Sequence, residues 1–137
     1  IQGLAGSKKA YGIIADNKLL TQADSKVTLG SGSNIDMSAS EGGIGVYTNN
    51  SGLTVNGIMK TGKDGVGIFA KDSAVTINGL NLELSGNNSL GLYTAGNTAT
   101  TVSGTVNALI TGTDAVLFNF ESTGAVNGLG TNLVING

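Results

Sequence analysis

No cysteine, proline, histidine, tryptophan or arginine occurs in the 137 residues of this chain. Each absence excludes something. Without Cys there is no disulfide, no thiolate nucleophile and no zinc–sulfur site. That lack also fits an exported chain that avoids disulfides. Without His, the commonest general base and the commonest metal ligand are both missing. With no Arg and a net charge of −2, no basic surface is available to attract nucleic acid. Charged residues make up 12% of the chain, about half the usual share. No apolar run approaches the roughly 18 residues of a membrane-spanning helix. The first residue is Ile rather than Met, which reads as a processed chain or an excised piece.

What is present is just as particular. Gly, Asn, Thr and Ser together supply close to half of the residues. Hydrophobic residues, at 39%, are too many for a disordered chain. They fall in short runs, and the runs repeat. GIGVYTNN at 43–50, GVGIFAKD at 65–72, SLGLYTAG at 89–96 and DAVLFNFE at 114–121 align, with a weaker copy, AYGIIADN, at 10–17. A second run follows each: KVTLG, LTVNG, VTING, TVSG and AVNG, ending at Gly30, Gly57, Gly79, Gly104 and Gly128. A third comes next: IDM, IMK, LNLEL, VNALI and LVI.

Alternation such as Leu80, Leu82, Leu84 has the period of a strand. Outside 13–29, glycines interrupt every run of a dozen residues, each costing a helix about 1 kcal/mol. One period of about 22–25 residues is too short to bury its own apolar face, whereas stacking periods buries a continuous core. The expected fold is all-β: a right-handed parallel β-helix (β-solenoid) of about five coils, with three short strands per coil. Residues 1–137 read as a single β-helix segment, with 18–42 as an irregular coil or insertion. The chain stops in mid-repeat at LVING, so continuation into a longer rod or end-to-end stacking is expected. Asn-Gly at 56–57, 78–79 and 127–128 would each suit a hairpin in isolation. Their fixed place after the second run makes them corners instead.

Stacking turns repeat positions into columns. Val55, Ile77, Val102 and Val126 are expected in the core. So are Ile44, Val66, Leu90 and Ala115, and likewise Val46, Ile68, Leu92 and Leu117. Thr28, Thr54 and Thr76 should face solvent. Gly45, Gly67 and Gly91 form a glycine column that gives room to a neighbouring side chain or admits a ligand against the backbone. Asn56, Asn78, Ser103 and Asn127 form a polar corner column. Tyr47, Phe69, Tyr93 and Phe118 form an aromatic ladder that alternation points outward. It is either a register device or a candidate binding stripe.

Two motifs mimic chemistry. GVGIFA at 65–70 matches a dinucleotide fingerprint, but a turn and a strand follow it where a helix is required. GGIGVY at 42–47 resembles a calcium nonapeptide, with Tyr47 where the carboxylate should be. Asp64 and Asp114 fall in one turn position two coils apart, roughly 10 Å, which is loose for an acid–base pair. No catalytic residue, metal site or cofactor is expected.

The run GVGIFAKDSAVTINGLNLELSGNNSLGLYTAG, 65–96, resembles the passenger-domain repeats of large autotransporter adhesins of the fusobacterial type. The resemblance covers 43–121 well and 1–42 poorly. It implies a β-helical stalk at the cell surface, outside the outer membrane of a Gram-negative bacterium or secreted. It also implies a C-terminal β-barrel anchor elsewhere in the full chain. The partner would be a receptor, protein or glycan, on a host cell or another bacterium. No binding residue carries over. The expected function is therefore a non-enzymatic adhesin or stalk segment. The alternatives are a fragment of a carbohydrate-active β-helix enzyme, of lyase or glycosidase type, and a self-assembling surface fibre protein.

Overall fold

A computed structural model describes residues 1–18 and 25–137. In chain order the elements are β1 (Tyr11–Asp16), β2 (Lys26–Thr28), β3 (Asn34–Met37), β4 (Ile44–Asn49), β5 (Gly52–Thr61), β6 (Val66–Lys71), β7 (Ala74–Leu84), β8 (Leu90–Ala95), β9 (Ala99–Val102), β10 (Val106–Ile110), β11 (Val116–Phe120), β12 (Val126–Asn127), α1 (Leu129–Asn132) and β13 (Leu133–Asn136). Strands β1, β4, β6, β8 and β11 form one parallel sheet in that order. The remaining strands form a second sheet, also parallel, with β5 and β7 at its centre. The chain winds through both sheets as a β-solenoid of about four turns.

The second sheet follows the alternation rule. Leu53 and Val55 face Val75 and Ile77, and Ile77 in turn faces Val102. All five side chains are buried. Leu80, Leu82 and Leu84 continue the same face, and Val106 and Ala108 stack on the first two of them. Thr28, Thr54 and Thr76 lie on the outer face, Thr28 exposed and the other two half-buried.

In two coils the second and third strands are continuous rather than separate. β5 and β7 run through their Asn-Gly pairs, with a register shift between Val55 and Asn56 that sets Asn56 opposite Gly79. Gly57 takes up the bend with φ 116, in the left-handed region. At the polar corner, Ser103 Oγ donates to Asn78 Oδ1 across coils at 2.7 Å.

Residues 26–37, within the stretch read as irregular, supply β2 and β3, both paired with β5. Residues 19–24 of that stretch lie outside the described residues.

The first sheet departs from simple alternation, and this corrects one expected core column. Ile44, Val66 and Leu90 are half-buried and turned outward, while both residues after each of them turn in. The first of those inward residues is Gly45, Gly67 or Gly91. A Cβ on Gly67 would stand 2.6 Å from the Gly91 carbonyl oxygen and 3.1 Å from Met59 Sδ. Ile35 and Leu82 crowd Gly12 and Gly91 in the same way. The glycine column therefore makes room for large side chains from the opposite sheet and admits no external ligand.

The last coil corrects two further alignments. Val116, not Ala115, pairs with Leu90, so Phe118 pairs with Leu92 and Asn119 with Tyr93. Phe118 and Phe120 turn toward the core and stack on each other at 5.7 Å. The shift puts Leu117 at the glycine position, and on the facing sheet Ala108 follows Ile35, Met59 and Leu82. A large residue replaces glycine where a small one replaces leucine, so volume is conserved. Val126 pairs with Thr100 rather than Val102 and is exposed.

Candidate binding face

With Gly12, Gly45, Gly67, Gly91 and Leu117 turned in, the outer surface of the first sheet carries two apolar columns. One is Tyr11, Ile44, Val66, Leu90 and Val116. The other is Ile14, Tyr47, Phe69 and Tyr93, closed by Asn119. No position in either column is charged. Tyr11 (50%), Ile14 (58%) and Val116 (47%) are well exposed. The others shield one another and are half-buried. Five strands about 4.8 Å apart, with columns about 10 Å apart along the strand, give an apolar strip of roughly 20 by 10 Å.

Within the aromatic column, the rings of Tyr47 and Phe69 stack at 5.3 Å, and those of Phe69 and Tyr93 approach to 4.8 Å with their planes tilted by 37°. The Tyr11 ring meets Tyr47 edge-on at 6.2 Å and so joins the two columns. The faces of the central rings cover each other, leaving edges toward solvent. The ladder ends at Tyr93, whose hydroxyl donates to Glu121 Oε2 at 2.8 Å. That bond, more than burial, raises the Tyr93 phenol above its ordinary pKa. Of the candidate stripe, Tyr47, Phe69 and Tyr93 thus come together, and Phe118 does not join them.

Columns that are polar apart from Gly42 and Ala95 rim the strip on both sides. Beyond the aromatic column lie Asp16, Asn49, Lys71 and Ala95, and Asn49 Nδ2 donates to Asp16 Oδ1 at 2.9 Å. Beyond the aliphatic column the turn residues Lys9, Asp64, Asn88 and Asp114 all adopt positive φ. Asn and Asp tolerate that conformation best among residues with a Cβ. Asn88 Nδ2 donates to Asp64 Oδ1 at 3.0 Å, bracing one turn on the next.

Several carboxylates elsewhere among the described residues are engaged as ion-pair or turn partners. Glu41 lies 3.0 Å from Lys63 Nζ and 3.6 Å from Lys8 Nζ, and Glu83 lies 3.1 Å from Lys60 Nζ. The Lys63 hydrogen bond, with its charge, holds the Glu41 carboxyl below the usual range; the Ser38 hydroxyl does the same for Asp36. A glycosidase acid needs the opposite shift. Among the described residues no group of three or more acidic side chains could hold a metal ion.

One feature escaped the sequence reading. Ser25, Ser51, Ser73 and Thr98 form a hydroxyl ladder at the corner after the first strand. Ser25 and Ser51 hydroxyls are 3.0 Å apart, Ser51 N donates to Ser73 Oγ at 3.4 Å, and Ser73 N to Thr98 Oγ1 at 3.2 Å. Ser51, Ser73 and Thr98 are fully buried. The signal was available: each stands two residues before an inward residue of the second strand, hence on the same face.

Comparison with protein families, with characterised proteins and with solved structures finds no match to this chain.

Proposed function

We propose that the chain is a non-enzymatic adhesive segment of an exported passenger, a right-handed β-helix of about five coils displayed at a Gram-negative cell surface. In this reading it attaches through the apolar strip of the first sheet. One observation carries the proposal: two uncharged apolar columns run the length of an exposed sheet and are rimmed by polar residues, as interaction surfaces are. Right-handedness is supported by the strong preference of parallel strand connections for that hand. The partner surface is an apolar patch of a receptor protein. A sugar would need an open ring face, and Phe69 lies between Tyr47 and Tyr93, Tyr47 meets the edge of Tyr11, and Tyr93 stands beside Asn119.

The test is attachment by full-length protein on cells and on immobilised receptor candidates. Val66→Lys combined with Leu90→Glu should leave the fold intact, since both side chains face out and the two opposite charges stand directly opposite each other on paired strands, and should cut attachment at least about tenfold, as loss of a central apolar patch does. Unchanged attachment by a folded double variant removes the strip from the mechanism. Release of reducing ends or unsaturated products from acidic or neutral glycans would instead establish the enzyme reading.

A further inference from the structure

The second sheet has a separate feature on its outer face. Leu80, Leu82 and Leu84 point inward, so Asn81 and Glu83 project outward from β7. The register places Ile58, Asn81, Asn107 and Val134 in one outer column. Lys60, Glu83, Leu109 and Asn136 form the next. Between the columns, over the backbone of Leu82 and Ala108, lies a furrow of about 220 Å³ walled by Ile58, Asn81, Glu83, Asn107, Leu109 and Asn136. It is smaller than the roughly 300–1,000 Å³ of a typical small-molecule site, and suits one ring-sized group.

The polar groups in the furrow are partly committed. Asn107 Nδ2 donates to Asn81 Oδ1 at 3.0 Å. Each amide has two donors and two acceptor positions, so the pair keeps the Asn81 amide N–H groups and the Asn107 carbonyl for a ligand. The Glu83 charge is balanced by Lys60 Nζ, 3.1 Å from Oε2. Ile58 (39% exposed) and Leu109 (42%) add two aliphatic surfaces. An anionic ligand would meet Glu83 with no cation left over to balance it. An apolar chain would strip water from the amides without replacing its hydrogen bonds. A neutral sugar ring does neither: its hydroxyls both donate and accept, and one of its faces is C–H.

We propose that this furrow is a subsite for one neutral pyranose unit of a glycan. Its hydroxyls bond to Asn81, Asn107 and Glu83, and its C–H face rests on Leu109. The subsite lies on a different sheet from the apolar strip and stands or falls independently of it. Without an aromatic platform the affinity for a single unit is low, in the millimolar range.

The experiment is a titration of the chain with the methyl glycosides of glucose, galactose and mannose, and with methyl glucuronoside, followed by the side-chain amide NMR signals of Asn81 and Asn107. At least one neutral glycoside should shift both signals saturably. The glucuronoside should bind at least about fivefold more weakly, the cost of an unbalanced carboxylate beside Glu83. Asn107→Leu, on an exposed strand position that accepts apolar residues, should abolish the shift of the remaining Asn81 signal. No response to any neutral glycoside up to about 50 mM, where a millimolar site is saturated, overturns the proposal. So does equal binding of the glucuronoside, or a shift that survives in Asn107→Leu.

Discussion

Ile77 and its neighbour Thr76 sit side by side in β7 and meet opposite surroundings. Ile77 is fully buried between Val55 and Val102, and Thr76 lies between Thr54 and Thr101 on the outer face. Ile77→Asp would leave an unpaired carboxylate in a dry column and should cost several kcal/mol. Thr76→Asp should cost about 1 kcal/mol or less, since its carboxylate stays hydrated. Denaturant melts of the two variants separate these outcomes, and equal losses would contradict the assigned strand face. Tyr93 gives a second residue-level expectation, through pH. Its bond to Glu121 raises the phenol above the ordinary value of about 10. A raised value in the folded chain means the neutral phenol is favoured there. The stability it contributes is therefore complete below about pH 10 and is lost as pH climbs through the folded value. Tyr93→Phe should melt below the parent at pH 7, and the gap should close on the alkaline side. A gap that stays constant to pH 11 would show that this phenol contributes nothing through Glu121.

At the level of the element, the first strand of each coil depends on an inward glycine. Gly67→Ala would push a Cβ to 2.6 Å from the Gly91 carbonyl oxygen, a backbone atom that cannot swing aside. Overpacking of this kind costs about 1–3 kcal/mol. Gly30, with no atom within 4 Å of its would-be Cβ, is the control, and Gly30→Ala should be neutral or slightly stabilising. Similar melting temperatures for the two variants would refute the crowding. This glycine also marks where sequence reading reached its limit. The second and third strands were legible because strict alternation from Leu53 to Val55 and from Leu80 to Leu84 assigns each side chain a face. The first strand breaks the alternation: Gly45 and Val46 both turn in, so Ile44 goes out. A bend of that kind leaves no mark in a hydropathy pattern, and Ile44, Val66 and Leu90 read as core. The apolar strip was consequently seen as a single aromatic ladder rather than two columns. The furrow was hidden for a different reason. Asn81, Glu83, Asn107 and Leu109 stood in recognised strands, but only the register across coils joins them into one concave surface.

Over the whole molecule, each coil is coupled to its neighbours alone, so register is decided interface by interface. Four interfaces of the first sheet run from β1 to β11. Across β4, β6 and β8 the aromatic column stays in step, Tyr47 on Phe69 on Tyr93. At β11 two preferences compete. Stacking Phe118 on Tyr93 would prolong the ladder and gain about 0.5–1.5 kcal/mol. It would also bring Val116 to the glycine position and leave Phe120 outside. The observed register instead buries part of Leu117, Phe118 and Phe120 against the core. Leu117 turns inward in either register, so the net gain is burial of Phe118 and Phe120 in place of Val116 and Asn119; with one fully buried large apolar side chain worth about 1.5–3 kcal/mol, even partial burial of the two rings outweighs one ring pair. Asn119 is left opposite Tyr93 as a consequence. Asn119→Phe tests this balance directly. If Asn119 faces outward, the new ring extends the ladder and raises stability by about 0.5–1.5 kcal/mol, less the weak bond from Asn119 to Glu121 at 3.3 Å. If the aromatic alignment held instead, position 119 would turn inward and a phenyl ring there would overpack the coil, lowering stability by about 1–3 kcal/mol. The sign of the change in melting temperature thus reads the register of the last coil, and with it which side chains close the apolar strip at that end.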